Sequence, residues 1–146
     1  MTRVWVLYAS NEQRREVDRL LATLFLRASW KPQPFQPSGS QAFFEASVDA
    51  SEIAVKLART GVVFEVEAED ERYLHHPGLG LKRQQLDSAG EVVVRFGQLQ
   101  RELVESAGNH QEFQRRLRLL EGQPWLDLLE PYRLSLLRSD QMPKAV

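Results

Sequence analysis

The stretch RVWVLYA at residues 3–9 is apolar at nearly every position and rich in β-branched and aromatic side chains. A strand that is apolar on both faces must be covered on both, so this stretch predicts a central strand of a sheet. Ser10 and Gln13 follow with the spacing of a capping box, in which two side chains satisfy the free amides at a helix start. The chain therefore opens with a buried strand and then a helix, which we expect to run to about Arg27.

Outward from this strand, the hydrophobic pattern alternates between strand and helix periods. Residues 41–48 and 62–68 alternate as half-buried strands do, and a short helix capped by Asp49 lies between them. In the strand at 62–68, the alternation places Glu65 and Glu67 on a solvent-facing side. We interpret these carboxylates as a solvated strand face.

The second half of the chain changes from strand to helix patterns. Residues 67–73 lead into a turn, and residues 79–86 and 91–96 predict an antiparallel hairpin closed by DSAG at 87–90. From residue 97 onward the apolar residues recur with helical spacing, which predicts three short helices. Pro131 is expected to end or kink the last of them.

A length of 146 residues with 42% hydrophobic residues allows one hydrophobic core. We expect a single α+β domain over 1–146, with an approximately five-stranded mixed or antiparallel sheet and packed helices. Residues 1–96 form the sheet part, 97–138 the helical C-terminal part, and 139–146 a frayed tail.

The charge balance and the residues that are missing exclude several function classes. Lys and Arg number 19 against 20 Asp and Glu, so the basic excess typical of nucleic-acid binding is missing. The chain has no cysteine, which excludes disulfides and thiolate zinc sites. No apolar run reaches the ~18 residues of a membrane helix, so we expect a cytoplasmic protein without membrane contact.

The chemically versatile side chains do not form a recognisable catalytic or metal motif. His75 and His76 are adjacent, so on a strand they point to opposite faces and do not chelate one metal ion. The arginines at 115–118 alternate with glutamates at spacings that allow ion pairs along a helix. We therefore expect no metal, no cofactor and no catalytic residue.

Short motifs with proline, aromatic and arginine residues occur along the chain in a characteristic order. They are WKPQP at 30–34 with Pro37 and Gly39, FEV at 64–66, ERY at 71–73, Pro77 with Leu79 and Gly80, and Trp125 with Asp127 and LEPYR at 129–133. In this order the chain resembles a family of small actinobacterial proteins catalogued as a domain of unknown function. Residues 10–27 match that family only as an amphipathic helix, and of the histidine pair only His75 matches.

The resemblance implies an actinobacterial cytoplasmic protein, some of whose relatives are encoded near fatty-acid synthesis genes. It carries no activity, so no catalytic residue is transferred. We expect a non-enzymatic binding or regulatory protein that acts through a protein partner or as a homo-oligomer. Its candidate binding residues are aromatic, arginine and histidine side chains: Trp30, Arg72, Tyr73, His75, His76, Trp125, Tyr132 and Arg133.

Two other functions fit the same residues. One is a small-molecule binder or enzyme with a pocket near Arg72, His75 and His76, where an imidazole would serve as acid or base near neutral pH. The other is single-stranded nucleic-acid binding on the aromatic residues of the sheet.

Overall fold

The computed structural model describes residues 1–135 of the chain. Its elements follow in the order β1 (Thr2–Ala9), α1 (Asn11–Thr23), β2 (Lys31–Pro32), β3 (Ser40–Ala46), α2 (Ala50–Thr60), β4 (Val63–Glu67), β5 (Glu71–His76), β6 (Gly80–Leu86), β7 (Val92–Val93), α3 (Phe96–Glu105), α4 (His110–Glu121) and α5 (Gln123–Leu134). The strands form one antiparallel sheet in the order β2-β3-β1-β4-β5-β6-β7. The α+β class is confirmed.

Strand β1 lies inside the sheet, between β3 and β4, as its apolar sequence predicts. One face of β1 presents Val4 and Val6 to a core that includes buried residues of α1 and α2. The other face presents Trp5 and Leu7 to a second core beneath α5. The sheet is therefore covered on both sides, and this two-sided cover is the reason for the apolar run.

The start of α1 confirms the capping box. The Ser10 N–H donates to Gln13 Oε1 at 2.9 Å, and the Gln13 N–H donates to Ser10 Oγ at 3.2 Å. The helix ends at Thr23 rather than near Arg27, because Phe25 has a positive φ of 59° that turns the chain out of the helix. The predicted end of α1 was therefore about one turn too late.

Helix α5 covers the face of the sheet opposite to α1 and α2, and its side chains attach it there. Its buried residues Leu126, Leu129 and Tyr132 contact the second core, and Trp125 Nε1 donates to the Gly80 carbonyl at 2.9 Å. The helix runs past Pro131 to Leu134, so Pro131 does not end it.

The sheet has seven strands instead of the five or so expected. The segment expected as the approach to a turn contains β5, which pairs with β4 on one edge and β6 on the other. Pairing on both edges satisfies the backbone of β5 although its sequence is polar and charged, so tertiary structure overrides local preference there. Strands β2 and β7 have two residues each, too few to show a period.

The antiparallel pairing of β6 with β7 is confirmed, with Gln85 opposite Val93 and the Asp87 N–H donating to the Glu91 carbonyl at 2.9 Å. The second strand, predicted over 91–96, is shorter: it ends at Val93, and α3 begins at Phe96. The tail expected at 139–146 and the end of the helical part at 138 lie outside the described residues. Among residues 1–135, no helix has both the length and the apolar content needed to cross a bilayer.

Candidate functional site

The sheet divides the residues that the sequence singles out into two groups. On the side of α1 and α2 lie Trp30, Tyr73 and His75. On the side of α5, by strand alternation and by packing, lie Arg72, His76, Trp125, Tyr132 and Arg133. The structure thus brings Arg72 and Arg133 together and separates both of them from His75.

Trp30 attaches the proline-rich loop to helix α1. Its indole Nε1 donates to Asp18 Oδ1 at 2.8 Å, and the guanidinium carbon of Arg14 lies 5.8 Å from the ring centroid. Both partners belong to α1, so this aromatic side chain makes these contacts within the fold.

His75 is buried and fully engaged by its neighbours. Its ring stacks on Phe64 with centroids 5.1 Å apart, and its Nδ1 lies 2.6 Å from the Val62 carbonyl, to which it donates. Burial lowers the pKa of His75, against the opposing effect of the Val62 carbonyl. His76 Nδ1 accepts a hydrogen bond from the Gly78 N–H at 3.0 Å.

We expect the free energy of unfolding to fall as the pH drops through about 6.5, the ordinary histidine pKa. Below that pH the unfolded chain binds a proton at His75 that the folded chain, with its lowered pKa, does not bind. Urea unfolding at several pH values between about 7.5 and 5.5 measures the slope. His75→Gln should make it shallower, while His110→Gln, at an exposed position, should match the wild type. Equal slopes for all three proteins would contradict the assignment.

A cluster of charged and amide side chains is buried between the sheet and α5. Glu65, Glu67, Arg72 and Gln84 are all buried, and Arg133 from α5 reaches them. The prediction that Glu65 and Glu67 face solvent was therefore wrong. The alternation along β4 is as predicted, but α5 covers the face that was predicted to be exposed to solvent.

Glu65 is shared by two guanidinium groups. Its Oε2 lies 3.1 Å from Arg133 Nε, and its Oε1 lies 3.8 Å from Arg72 Nη1. Burial raises the pKa of Glu65, while Arg133 and Arg72 act in the opposite direction. Burial also lowers the pKa of Arg72, but a guanidinium stays charged in proteins.

Gln84 links this cluster to the helical half of the chain. Arg72 Nε donates to Gln84 Oε1 at 2.7 Å, and Gln84 Nε2 donates to the Glu121 carbonyl at 2.6 Å. Neither terminal nitrogen of Arg72 donates a hydrogen bond to a described residue. The attraction of opposite charges therefore holds Arg72 at Glu65, and one side-chain bond fixes its orientation.

Two arginines of α4 pair with Glu112 of the same helix, as their spacing predicts, and Arg118 contacts Asp127 of α5 at 3.3 Å. Arg116 contacts Glu102 and Glu105 of α3 at 3.3 and 2.9 Å, and also Glu112 of its own helix at 3.0 Å. Arg115 lies 2.7 Å from Glu112, and hydrogen bonds from these two arginines lower the pKa of Glu112 to about 2. These pairs join α3 to α4.

Helix α3 has an apolar side that the sequence analysis did not single out. Phe96 is 74% exposed, Leu103 55% and Val104 77%, and no residue of α3 is buried. The helical spacing of these residues indicates an apolar side from the sequence alone. It was not predicted as a binding surface, because the helical part was expected to pack against the sheet. Amphipathic helices usually turn such a side to a core.

The two alternative functions can be compared with these positions. A pocket near Arg72, His75 and His76 would have to be lined from both sides of the sheet. Base stacking needs exposed rings, and the sheet aromatics Trp5 and Phe64 are buried. Within residues 1–135, no three histidine or carboxylate side chains are grouped as metal ligands.

The family described as "Protein of unknown function (DUF3145)" matches residues 17–141 of the chain. This match confirms the resemblance to an uncharacterised domain family. No curated protein and no solved structure matches the chain.

Proposed function

We propose that this chain, which belongs to the DUF3145 family of proteins of unknown function, works by binding a protein partner through helix α3. One observation carries the proposal: the apolar side of α3 faces solvent. Because large exposed apolar patches on folded proteins mark interaction sites more often than isolated apolar residues do, the pattern on this helix favours docking.

The exposed side is a continuous stripe and not a set of scattered residues. At about 100° per residue, Phe96, Leu99, Leu103 and Val104 fall within one face of the helix. Leu99 is half-buried and the other three are exposed. The opposite flank carries Glu102, whose carboxylate is held by an arginine of α4. One flank of α3 is thus used within the fold, and the stripe remains available.

The charges beside the stripe indicate the chemistry of the partner. Arg95 precedes the helix and Arg101 lies within it, both are exposed, and neither forms an ion pair with a described residue. A helix of this kind docks in an apolar groove, with the charges at its rim giving orientation. We therefore expect a protein whose apolar groove is flanked by carboxylates.

The test compares exposed phenylalanines on and off the stripe. The wild-type chain captures binding proteins from an extract of the cells that encode it, and each candidate is purified and titrated calorimetrically. Phe96→Ser and Leu103→Asp should weaken binding at least about tenfold, which is about 1.4 kcal/mol. Phe25→Ser is the matched control, because Phe25 is 98% exposed and precedes the loop after α1.

Two outcomes would overturn the proposal. One is a purified partner that binds Phe96→Ser and Leu103→Asp as tightly as wild type. The other is a homodimer in analytical ultracentrifugation that Leu103→Asp dissociates, since the stripe would then be occupied by a second copy of this chain. All variants should keep the wild-type thermal midpoint, because the substituted side chains are exposed.

The proposal includes the source and location that the family resemblance implies, namely the cytoplasm of an actinobacterium. A partner with a carboxylate-flanked groove should then be found in the same compartment. Fractionation of cells that express the chain at its native level, followed by immunoblotting, tests the location. Recovery in the envelope fraction would contradict it.

A further inference from the structure

A cavity of about 240 Å³ lies at the boundary between the sheet and the helical half of the chain. Strand β7 has two residues and pairs only with the last two residues of β6. The chain then leaves the sheet at residues 94–95 and begins α3, so the earlier part of β6 has no neighbouring strand on this edge. The cavity is lined by residues 82–85 and 92–95, with Gln98 and Leu120.

The charges around this cavity are of one sign. Lys82, Arg83 and Arg95 line it, and none of its lining residues is acidic. Arg83 is held by Glu71, with its Nη2 2.9 Å from the carboxylate Oε2. Lys82 and Arg95 form no ion pair with any described residue. The cavity therefore has two cations whose charge the described fold leaves uncompensated.

Lys82 is the more constrained of these two cations. Its Nζ lies 5.9 Å from the Trp125 ring centroid, and its Cγ lies 3.3 Å from the position that a Cβ at residue 122 would take. Lys82 is half-buried, which lowers its pKa, and no carboxylate of the described residues forms an ion pair with it. A bound anion would restore the solvation that this group loses.

Gln84, on the same face of β6 as Lys82, is held by hydrogen bonds at both ends of its amide. Gln84 lines the cavity, but its amide oxygen accepts from Arg72 and its amide nitrogen donates to the Glu121 carbonyl. Both ends of Gln84 are thus used in the fold. Gln98 Oε1 accepts from the Arg95 N–H at 3.3 Å, so its amide nitrogen and the amide of Gln85 are the groups in the cavity lining that bond no described residue.

From these observations we infer that the cavity binds a small molecule that carries carboxylate or phosphate groups. Its volume of about 240 Å³ is below the ~300–1,000 Å³ of pockets for drug-sized ligands, so the ligand has few carbon atoms. Lys82 and Arg95 supply the positive charge, and the amides supply hydrogen-bond donors. The site shares Arg95 with the partner surface proposed on α3, whereas Lys82 belongs to the cavity alone.

Nuclear magnetic resonance titration of the full chain tests this assignment, with inorganic phosphate and citrate as probes. In a starting buffer of about 10 mM ionic strength, where the Debye length is about 30 Å, at least one probe should shift the amide signals of residues 82–85 and 92–98 as it is added. The shifts should saturate below about 50 mM probe, and sodium chloride at matched ionic strength should not reproduce them.

Lys82→Met keeps the aliphatic stem and removes the charge, and we expect it to weaken probe binding at least about tenfold. Lys82→Arg restores a cation and should recover most of the affinity. Lys56→Met is the matched control, because Lys56 pairs with Glu52 on α2 and is not among the residues that line the cavity. Its affinity should equal that of the wild type.

Linear shifts with both probes, or wild-type affinity in Lys82→Met, would overturn the assignment. A folded Lys82→Met protein is verified by its unfolding midpoint and by unchanged amide signals in β1. If Lys82→Met does not fold, Lys82→Arg and Arg95→Gln decide the question: the first should retain binding and the second should weaken it, and any other result also overturns the assignment.

Discussion

Replacing Arg72 with methionine is expected to lower the free energy of unfolding by about 3–5 kcal/mol. The side chain is fully buried, so its removal leaves the Glu65 carboxylate in the interior with Arg133 as its nearest counter-charge. It also takes away the Nε donor that Gln84 accepts from. Glu65 then keeps its desolvation cost with one of its two counter-charges removed, and Gln84 loses its donor, which together account for the size of the effect. Urea unfolding followed by circular dichroism measures it.

An exposed ion pair between β5 and β6 provides the control for Arg72→Met. Arg83 contacts Glu71 at 2.9 Å, but its side chain is half-exposed, so Arg83→Met should cost no more than about 1 kcal/mol. The double variant Glu65→Gln with Arg72→Met should lose less stability than the sum of the two single variants, because either substitution alone already removes the contact between the two side chains. Equal losses for Arg72→Met and Arg83→Met would show that the buried cluster does not contribute as described.

Replacing Leu129 with alanine is expected to cost about 2–5 kcal/mol of unfolding free energy. Leu129 is fully buried in the core between α5 and the sheet, so the substitution leaves a cavity that a helix pinned by Trp125 cannot close. The adjacent Leu128 is exposed, and Leu128→Ala should change stability by less than about 0.5 kcal/mol. Chemical unfolding of both variants under one set of conditions measures the difference.

The comparison of Leu129→Ala with Leu128→Ala tests which side of α5 faces the sheet. The two residues have the same chemistry and the same helix, so the difference between their substitutions reports burial alone. A larger loss for Leu128→Ala would mean that α5 is rotated from the orientation described, and the contacts of Arg133 with Glu65 would then be wrong as well.

The parts of the fold that the sequence predicted are those set by local physics. The apolar run at residues 3–9 predicted a central strand, because only a strand covered on both sides needs apolar residues on both faces. Ser10 and Asp49 predicted helix starts, since a cap bonds an amide within three residues. The turn at 87–90 predicted the hairpin for the same reason, because its partners are near in the chain.

The missed elements depend on distant partners. Strand β5 contains Arg72 and two histidines and has no apolar alternation, so its pairing with two neighbouring strands was not visible locally. The same holds for the candidate site. Arg72 and Arg133 were both predicted as binding residues, but Glu65, which contacts both, was predicted to be exposed to solvent. The helix that covers it, α5, begins more than fifty residues later in the sequence, so its position was not visible locally.

By itself, the sequence determined the fold class, the central strand, the caps and the ion pairs along the helices, because each depends on residues within a few positions of one another. The tertiary structure decided which polar faces are buried and which apolar faces are exposed. Docking of α5 converted the Glu65 face of β4 from a solvated surface into the interior. The packing of α3 against α4 left Phe96 and Leu103 in solvent. Burial depends on what covers a face, and alternation along a strand or helix carries no information about the cover.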